Sequence, residues 1–449
     1  MIKINSVFFV RQNRLKTILG LALPIIIQSG SQSLLTLVDT AMVGVLGNVA
    51  LAAVGLSNYT YYIVTAFLAG LGMCSQTMTS RYYGEERKRE LAWPLNGTLF
   101  LGLTAALPLT LLLFYLIPDI FPFLSGESSV IASGTPYLQA RIVGIIGIVI
   151  NFSYYGYLTG IGRTGLCLKV GLVMQVINVI ANYGLIFGRF GLSELGATGA
   201  GIGSTFATFV GSAFYTILVI RLSPGNGFLK KLPKFKTMKT MMRLTITGAV
   251  QQFFFAAGIA MLMWIVGRIG TRETAVANVL LNLTMLLIFP CIGLGLATAT
   301  LVGQALGRGD KEDAKKWGWE ATRTGMFFLG IAALPLLLIP DLVLSIFLHD
   351  PAARMMARPL LQLTAGMVVA DAFGLIVLHG LVGAGDTTRV MIISVVLQWV
   401  LFLPLVYFLG PYGGYGLIAI WLSLFGYRFI NASIFGVLWK QGKWATIKL

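Results

Sequence analysis

The sequence predicts an all-α integral membrane protein whose twelve transmembrane helices form two six-helix bundles related by a pseudo-twofold axis. Three observations carry that expectation. Of 449 residues, 57% are hydrophobic and only 11% are charged, against roughly 25% charged in a water-facing domain. Twelve apolar stretches reach the roughly 20 residues needed to cross about 30 Å of hydrocarbon. The chain also repeats itself at one offset of 223 residues: VGVLG at 43–47 returns as VGRIG at 266–270, Gly72 and Gly84 return as Gly295 and Gly307, and GIGRT at 160–164 returns as GAGDT at 383–387.

Taken in order, the expected spans of the first half are 15–46, 48–77, 95–117, 135–158, 165–188 and 196–220. Those of the second half are 241–267, 275–304, 321–347, 358–382, 388–409 and 415–438. Between them lies RLSPGNGFLKKLPKFKTMK, residues 221–239, whose Pro, Gly and Lys content marks a connector with its lysines near anionic headgroups. The expected lobes are therefore 1–220 and 240–449, joined by that linker. Six spans per half is an even number, so both halves start on the same side and are parallel repeats, the plan of many secondary transporters.

The net charge of +17 has a topological reading. Alternate connections place 27 of the 33 Lys and Arg residues on one side, from Lys3 and Arg11 to Arg428, and only 6 on the other. By the positive-inside rule both termini are cytoplasmic, and no nucleic-acid partner is needed to explain the charge. The first apolar stretch is too long for a cleavable signal and no small-residue cleavage site follows it. Cys74, Cys167 and Cys291 stand singly in apolar spans and read as small core residues rather than as a disulfide or metal set. With two histidines in the chain, His349 and His379, and no His or Cys pair at metal spacing, neither a metal site nor an enzyme's catalytic cluster is expected.

Of sixteen acidic residues, only Asp39 and Asp371 fall well inside apolar stretches. A carboxylate there costs about 2.5–3.5 kcal/mol on insertion scales, so it must face protein or water. Asp39 has polar neighbours on its own helix in Gln32, Thr36 and Thr40, and further candidates in Tyr137 of the fourth span and Asn178 and Asn182 of the fifth. The two asparagines are four residues apart and so share one helical face. They also suit the blander role of polar glue between membrane helices. The position one repeat after Asp39 is Leu262, so the second half does not duplicate this acid. Pro24, in the same helix, removes a backbone hydrogen bond and favours a kink. Asp371 is the second candidate; His379 lies about 80° around the helix from it, too far for a direct pair. Arg141 either snorkels to the surface or balances an acid.

These residues and motifs resemble the multidrug and toxic compound extrusion (MATE) transporters over nearly the whole chain. The likeness rests on LALPIIIQSGSQSLLTLVDTAMVGVLG in the first span, SRYYGEERKREL and GQALGRGDKEDAKK after the second and eighth, and GIGRTG and GAGDTT after the fourth and tenth. Within the family the chain looks more like the DinF-type branch, in which a first-helix Asp couples transport to a cation and a proline in that helix permits bending. The resemblance carries those roles onto Asp39 and Pro24, and a supporting polar cluster onto Asn178, Asn182 and Tyr137. Asn182 stands where some members have a second acid, which favours a proton over sodium. The NorM-type branch resembles this plan with an essential Glu in the seventh span, whereas GAVQQFFFAAGIAMLMWIVG here has none.

The expected function is export of amphipathic, often cationic drugs in exchange for protons, with Na⁺ as the alternative ion, from a bacterial or archaeal cytoplasmic membrane. A monomer among membrane lipids is expected, without a cofactor. Gln32, Thr36, Phe67, Phe152 and Tyr154 are the expected substrate contacts, because apolar and aromatic walls favour breadth over selectivity. The competing reading is a lipid-linked oligosaccharide flippase, which would need a more cationic cavity.

Overall fold

A computed structural model describes residues 12–222 and 225–449. Lys3, Arg11 and the connector residues Ser223 and Pro224 lie outside the described residues. The first half contains α1 (Gln12–Gly44), α2 (Asn48–Gly84), α3 (Trp93–Leu124), α4 (Ser128–Val143), α5 (Ile145–Gly160), α6 (Thr164–Phe187) and α7 (Gly196–Leu222). The second contains α8 (Phe235–Gly267), α9 (Thr271–Gly307), α10 (Lys311–Leu338), the short α11 (Pro340–Ser345), α12 (Pro351–Gly383), α13 (Thr387–Val396), α14 (Leu403–Tyr407) and α15 (Gly416–Gln441). Among the described residues there is no strand. Eleven helices are long and apolar enough to cross a membrane, or twelve when α4 and α5 count as one span bent by 40°. The protein is a multi-pass membrane protein.

The offset read from the sequence recurs in the helix boundaries. Shifting α1, α2 and the α4–α5 pair by 223 residues lands on both ends of α8, α9 and α12, and shifting the start of α6 lands on that of α13. The GIGRT and GAGDT motifs also acquire a cause. Gly162 and Gly385 take φ of +80° and +91° in the turns before α6 and α13, a left-handed conformation that only Gly adopts without a steric cost.

The halves differ where one helix breaks. In α4 the amide of Gly144 bonds to Arg141 O at 3.0 Å instead of continuing the regular ladder, and Thr205 Oγ1 donates to the freed carbonyl of Ala140 at 2.8 Å. A hydroxyl inserted into the ladder is a recognised cause of a sharp kink. In the eleventh span the chain instead passes through two wide π-helical turns, Leu397–Phe402 and Phe408–Tyr412.

Two compact units result: Ile27–Ala249, and the chain through Ile26 together with Val250–Leu449. This differs from a division at the connector, because α1 and α8 are each shared. The early part of α1 packs on α9: a Cβ at Gly293 would stand 2.5 Å from Ile26 Cγ1 and 3.2 Å from Ala22 O. The early part of α8 packs on α2 in the same manner, with a Cβ at Gly70 placed 2.2 Å from Thr245 O. Gly70 and Gly293 are one repeat apart, as are Ala22 and Thr245, so the exchange is reciprocal. Small residues let helix backbones approach closely where lipid supplies no hydrophobic drive.

Candidate functional site

Asp39 sits in the last turns of α1, within the unit Ile27–Ala249, and is partly buried. Its Oδ1 accepts a hydrogen bond from Asn182 Nδ2 at 2.9 Å. The same amide nitrogen donates to Asn178 Oδ1 at 3.1 Å, and Asn178 Nδ2 donates to Ser204 Oγ at 3.0 Å. A chain of neutral donors thus runs from the carboxylate through α6 to α7. Both asparagines are buried, and they sit four residues apart on α6, on one helical face.

The glycines of α7 make this burial feasible. Gly199 and Gly203 form a GxxxG pair against α6, where a Cβ at Gly199 would meet Leu185 O at 2.5 Å and one at Gly203 would meet Asn182 Oδ1 at 2.2 Å. Nearer the middle of α1, Gln175 Nε2 of α6 donates to Ser31 Oγ at 3.1 Å and approaches Gln32 Oε1 at 3.5 Å. The part of α1 after Pro24 is therefore tied to α6 at two levels.

The other expected residues are distributed differently. Tyr137 is buried, but its hydroxyl donates to Asn58 Oδ1 at 3.0 Å and not to Asp39. Arg141 neither snorkels nor pairs with an acid: its guanidinium lies 4.1 Å from the centre of the Tyr61 ring, in electrostatic range of Asp39. Thr36 is exposed and spends its hydroxyl on Gln32 O at 3.0 Å. Phe67 is exposed, whereas Phe152 packs against the apolar core of the first half. Tyr154 is held among Tyr215 and Phe228, and its hydroxyl accepts from Thr216 at 3.0 Å. Pro24 stands inside α1 two residues before the junction of the units at Ile26 and Ile27.

Asp371 has a partner that the sequence reading missed. Arg428 Nη1 lies 3.2 Å from its Oδ1, with the two side chains only 14% and 3% exposed. Arg428 is mid-helix in α15 and not in a basic loop, so it leaves the topological count. The signal that could have found it was a lone cation inside the apolar run WLSLFGYRFINASIFG, which in a membrane span calls for an acid. Asp39, by contrast, has no ion-pair partner among the described residues, and His379 turns to its own helix, with Nδ1 2.8 Å from Leu375 O.

Two duplicated six-span halves that start on the same side are the plan of many secondary membrane transporters. The protein belongs to the MatE family, whose sequence profile matches residues 24–184 and again 248–408, once in each half. A relative in Thermotoga maritima, a probable multidrug resistance protein NorM, is 27% identical over 440 residues, covering 96% of this chain and 93% of that one. A protein of the same name in Bacillus cereus is 26% identical over 434 residues, covering 94% and 95%. Among solved structures, the outward-facing conformation of a multidrug resistance MATE family transporter matches with a TM-score of 0.87 at 20% identity, covering 97% of both chains.

Proposed function

We propose that the protein exports amphipathic, often cationic organic compounds in exchange for protons, and that Asp39 is the coupling carboxylate. The observation that carries this reading is the contrast between the two acids of the spans. Asp39 is held through one oxygen by a neutral amide, and Arg141, the cation that acts on it, makes no ion pair with it and rests on the Tyr61 ring, so protonation breaks no salt bridge. Asp371 is paired to Arg428, and protonating it would leave a buried guanidinium uncompensated, which is strongly unfavourable.

The amide group that faces Asp39 is a donor, which suits a carboxylate that cycles between charged and neutral forms. Loading a proton weakens the bond from Asn182 and lets the later part of α1 separate from α6. Pro24 supports such a motion because its ring leaves Gly20 O without the usual helix donor. The start of α1 stays fixed by Arg14, which bonds Asp313 and lies 3.4 Å from Glu320. One proton moving down 100 mV supplies roughly 2.3 kcal/mol. In this reading both termini are cytoplasmic in a bacterial or archaeal inner membrane, the carboxylate is placed as in the DinF-type branch, and the transporter works as a monomer.

The test is ethidium efflux in proteoliposomes, driven first by a pH gradient alone and then by a sodium gradient alone, for wild type and Asp39→Asn. Proton-driven efflux that falls to the protein-free background in the variant supports the proposal. Efflux at the wild-type rate in Asp39→Asn refutes it, and sodium-driven efflux in the wild type replaces the proton as coupling ion.

A further inference from the structure

The repeat makes it possible to ask what each half places at the turn after its second span, and the two answers differ. After α9, the turn is closed by charges of the chain itself. Asp313 takes Arg14, Arg308 at 3.0 Å and the indole Nε1 of Trp317 at 3.0 Å, while Arg14 lies 4.5 Å from the centre of the Trp317 ring. After α2, the counterpart of Arg14 is Thr237 and that of Asp313 is Glu90, which lies 3.7 Å from Arg87 of the same turn instead of meeting a cation from another helix. Beside it is a cavity of about 730 Å³ lined by four cations, Arg87, Lys88, Arg89 and Lys234, and two acids, Glu86 and Glu90, next to Tyr82 and Trp93.

Its charge is unbalanced. Arg87 is accounted for by Glu85 at 2.7 Å, Glu90 at 3.7 Å and the Tyr82 ring at 4.9 Å. Lys88, Arg89 and Lys234 have no carboxylate partner among the described residues. Glu86, on the cavity wall, closes α2 in the left-handed conformation at φ of +56°, where the second half uses Gly309 at +80°.

The cavity wall is fixed, although part of it comes from the connector. Buried Asn96 donates to Gly227 O at 2.9 Å and Lys231 O at 2.7 Å and accepts from the amide of Leu229 at 2.9 Å. That clamp holds the strand of connector leading to Lys234 against the start of α3. Tyr82 lies two residues from the end of α2 and Trp93 opens α3. Amphipathic aromatics at span ends mark the headgroup level of a bilayer.

We infer that this cavity binds the phosphate of an anionic phospholipid headgroup, which supplies from the membrane the negative charge that Lys88, Arg89 and Lys234 lack among the described residues. Lys88, Arg89 and Lys234 are the phosphate ligands, with Tyr82 and Trp93 against the glycerol and upper acyl region.

The test uses the purified full chain in detergent, titrated with phosphatidylglycerol, phosphatidylcholine or inorganic phosphate, and read by native mass spectrometry and by thermal unfolding. Wild type should retain phosphatidylglycerol in preference to phosphatidylcholine and unfold at a higher temperature with it. In K88Q/R89Q/K234Q the affinity for phosphatidylglycerol should drop about a hundredfold, and about fivefold for each single substitution. A control at the same end, K311Q/K316Q/K440Q, should change by less than about twofold. Equal retention by wild type and the triple variant overturns the inference, as does an equal loss in the control. Stabilisation by inorganic phosphate with nothing further from phosphatidylglycerol overturns the lipid and leaves a soluble phosphate site. Should the triple variant not fold, K88Q and K234Q alone carry the same comparison.

Discussion

In the unit Ile27–Ala249 the acid within the spans is answered by amides: Asp39, Asn182, Asn178 and Ser204 form a chain of neutral hydrogen bonds. In the other unit the acid is answered by a guanidinium, Asp371 to Arg428. The position one repeat after Asp39 is Leu262, and the position one repeat before Asp371 is Ile148. Each half therefore buries charge where its copy is apolar. An amide-held carboxylate can change its charge at small structural cost, whereas a buried ion pair cannot lose one member cheaply. In the proposed mechanism one half titrates while the other stays fixed.

The strongest way to break this comparison is to remove the cation. Arg428→Met should lose about 3–5 kcal/mol of stability, because Asp371 is left buried and unpaired. Adding Asp371→Leu should restore most of the loss. Thermal unfolding of both variants in one detergent checks this, and a single variant as stable as wild type would show that the pair is not structural.

The two helix exchanges offer the next comparison. Gly70→Ala drives a Cβ against backbone, at Thr245 O and Ala249 N, whereas Gly293→Ala meets first a side-chain atom, Ile26 Cγ1, with the backbone at Ala22 O further off at 3.2 Å. Overpacking costs typically 1–3 kcal/mol, so Gly70→Ala belongs at the upper end and Gly293→Ala at the lower, read from the same melting curves.

Within the polar chain the effects are smaller and graded. Asn182→Ala removes the donor from Asp39 and should cost about 1–2 kcal/mol, with proton-driven efflux reduced well beyond that loss of folded protein. Asn178→Ala, one bond further from the acid, should cost only about 0.6 kcal/mol, the average for hydrogen bonds between membrane helices. Equal effects from the two asparagines on efflux, after correction for the amount of folded transporter, would mean that the chain acts as glue and not as support for one carboxylate.

Much of this plan was legible in the sequence, because hydropathy and repetition are local or self-referential signals. Twelve apolar runs and an offset of 223 residues need no knowledge of which helix touches which. The face shared by Asn178 and Asn182 follows from helical spacing, and their approach to Asp39 was a matter of choosing among few polar groups. What stayed hidden depends on pairing across space. Arg428 looked like one more basic residue until α12 and α15 brought it to Asp371. Tyr137 packs near the end of α1 and in electrostatic range of Asp39, but its hydroxyl goes to Asn58. The break at Gly144 needed Thr205 from another helix, and the sharing of α1 and α8 leaves no mark on hydropathy.

That sharing also sets an order of events during synthesis. Arg14 and its partner Asp313 are 299 residues apart. At roughly 5–20 residues per second, the ribosome takes on the order of 15–60 s to deliver the second after the first. For that interval the first helix waits with Arg14 unpaired by Asp313 and its surface for α9 uncovered. Circular permutation that starts the chain at α8 would exchange the roles, so that α8 becomes the helix that waits.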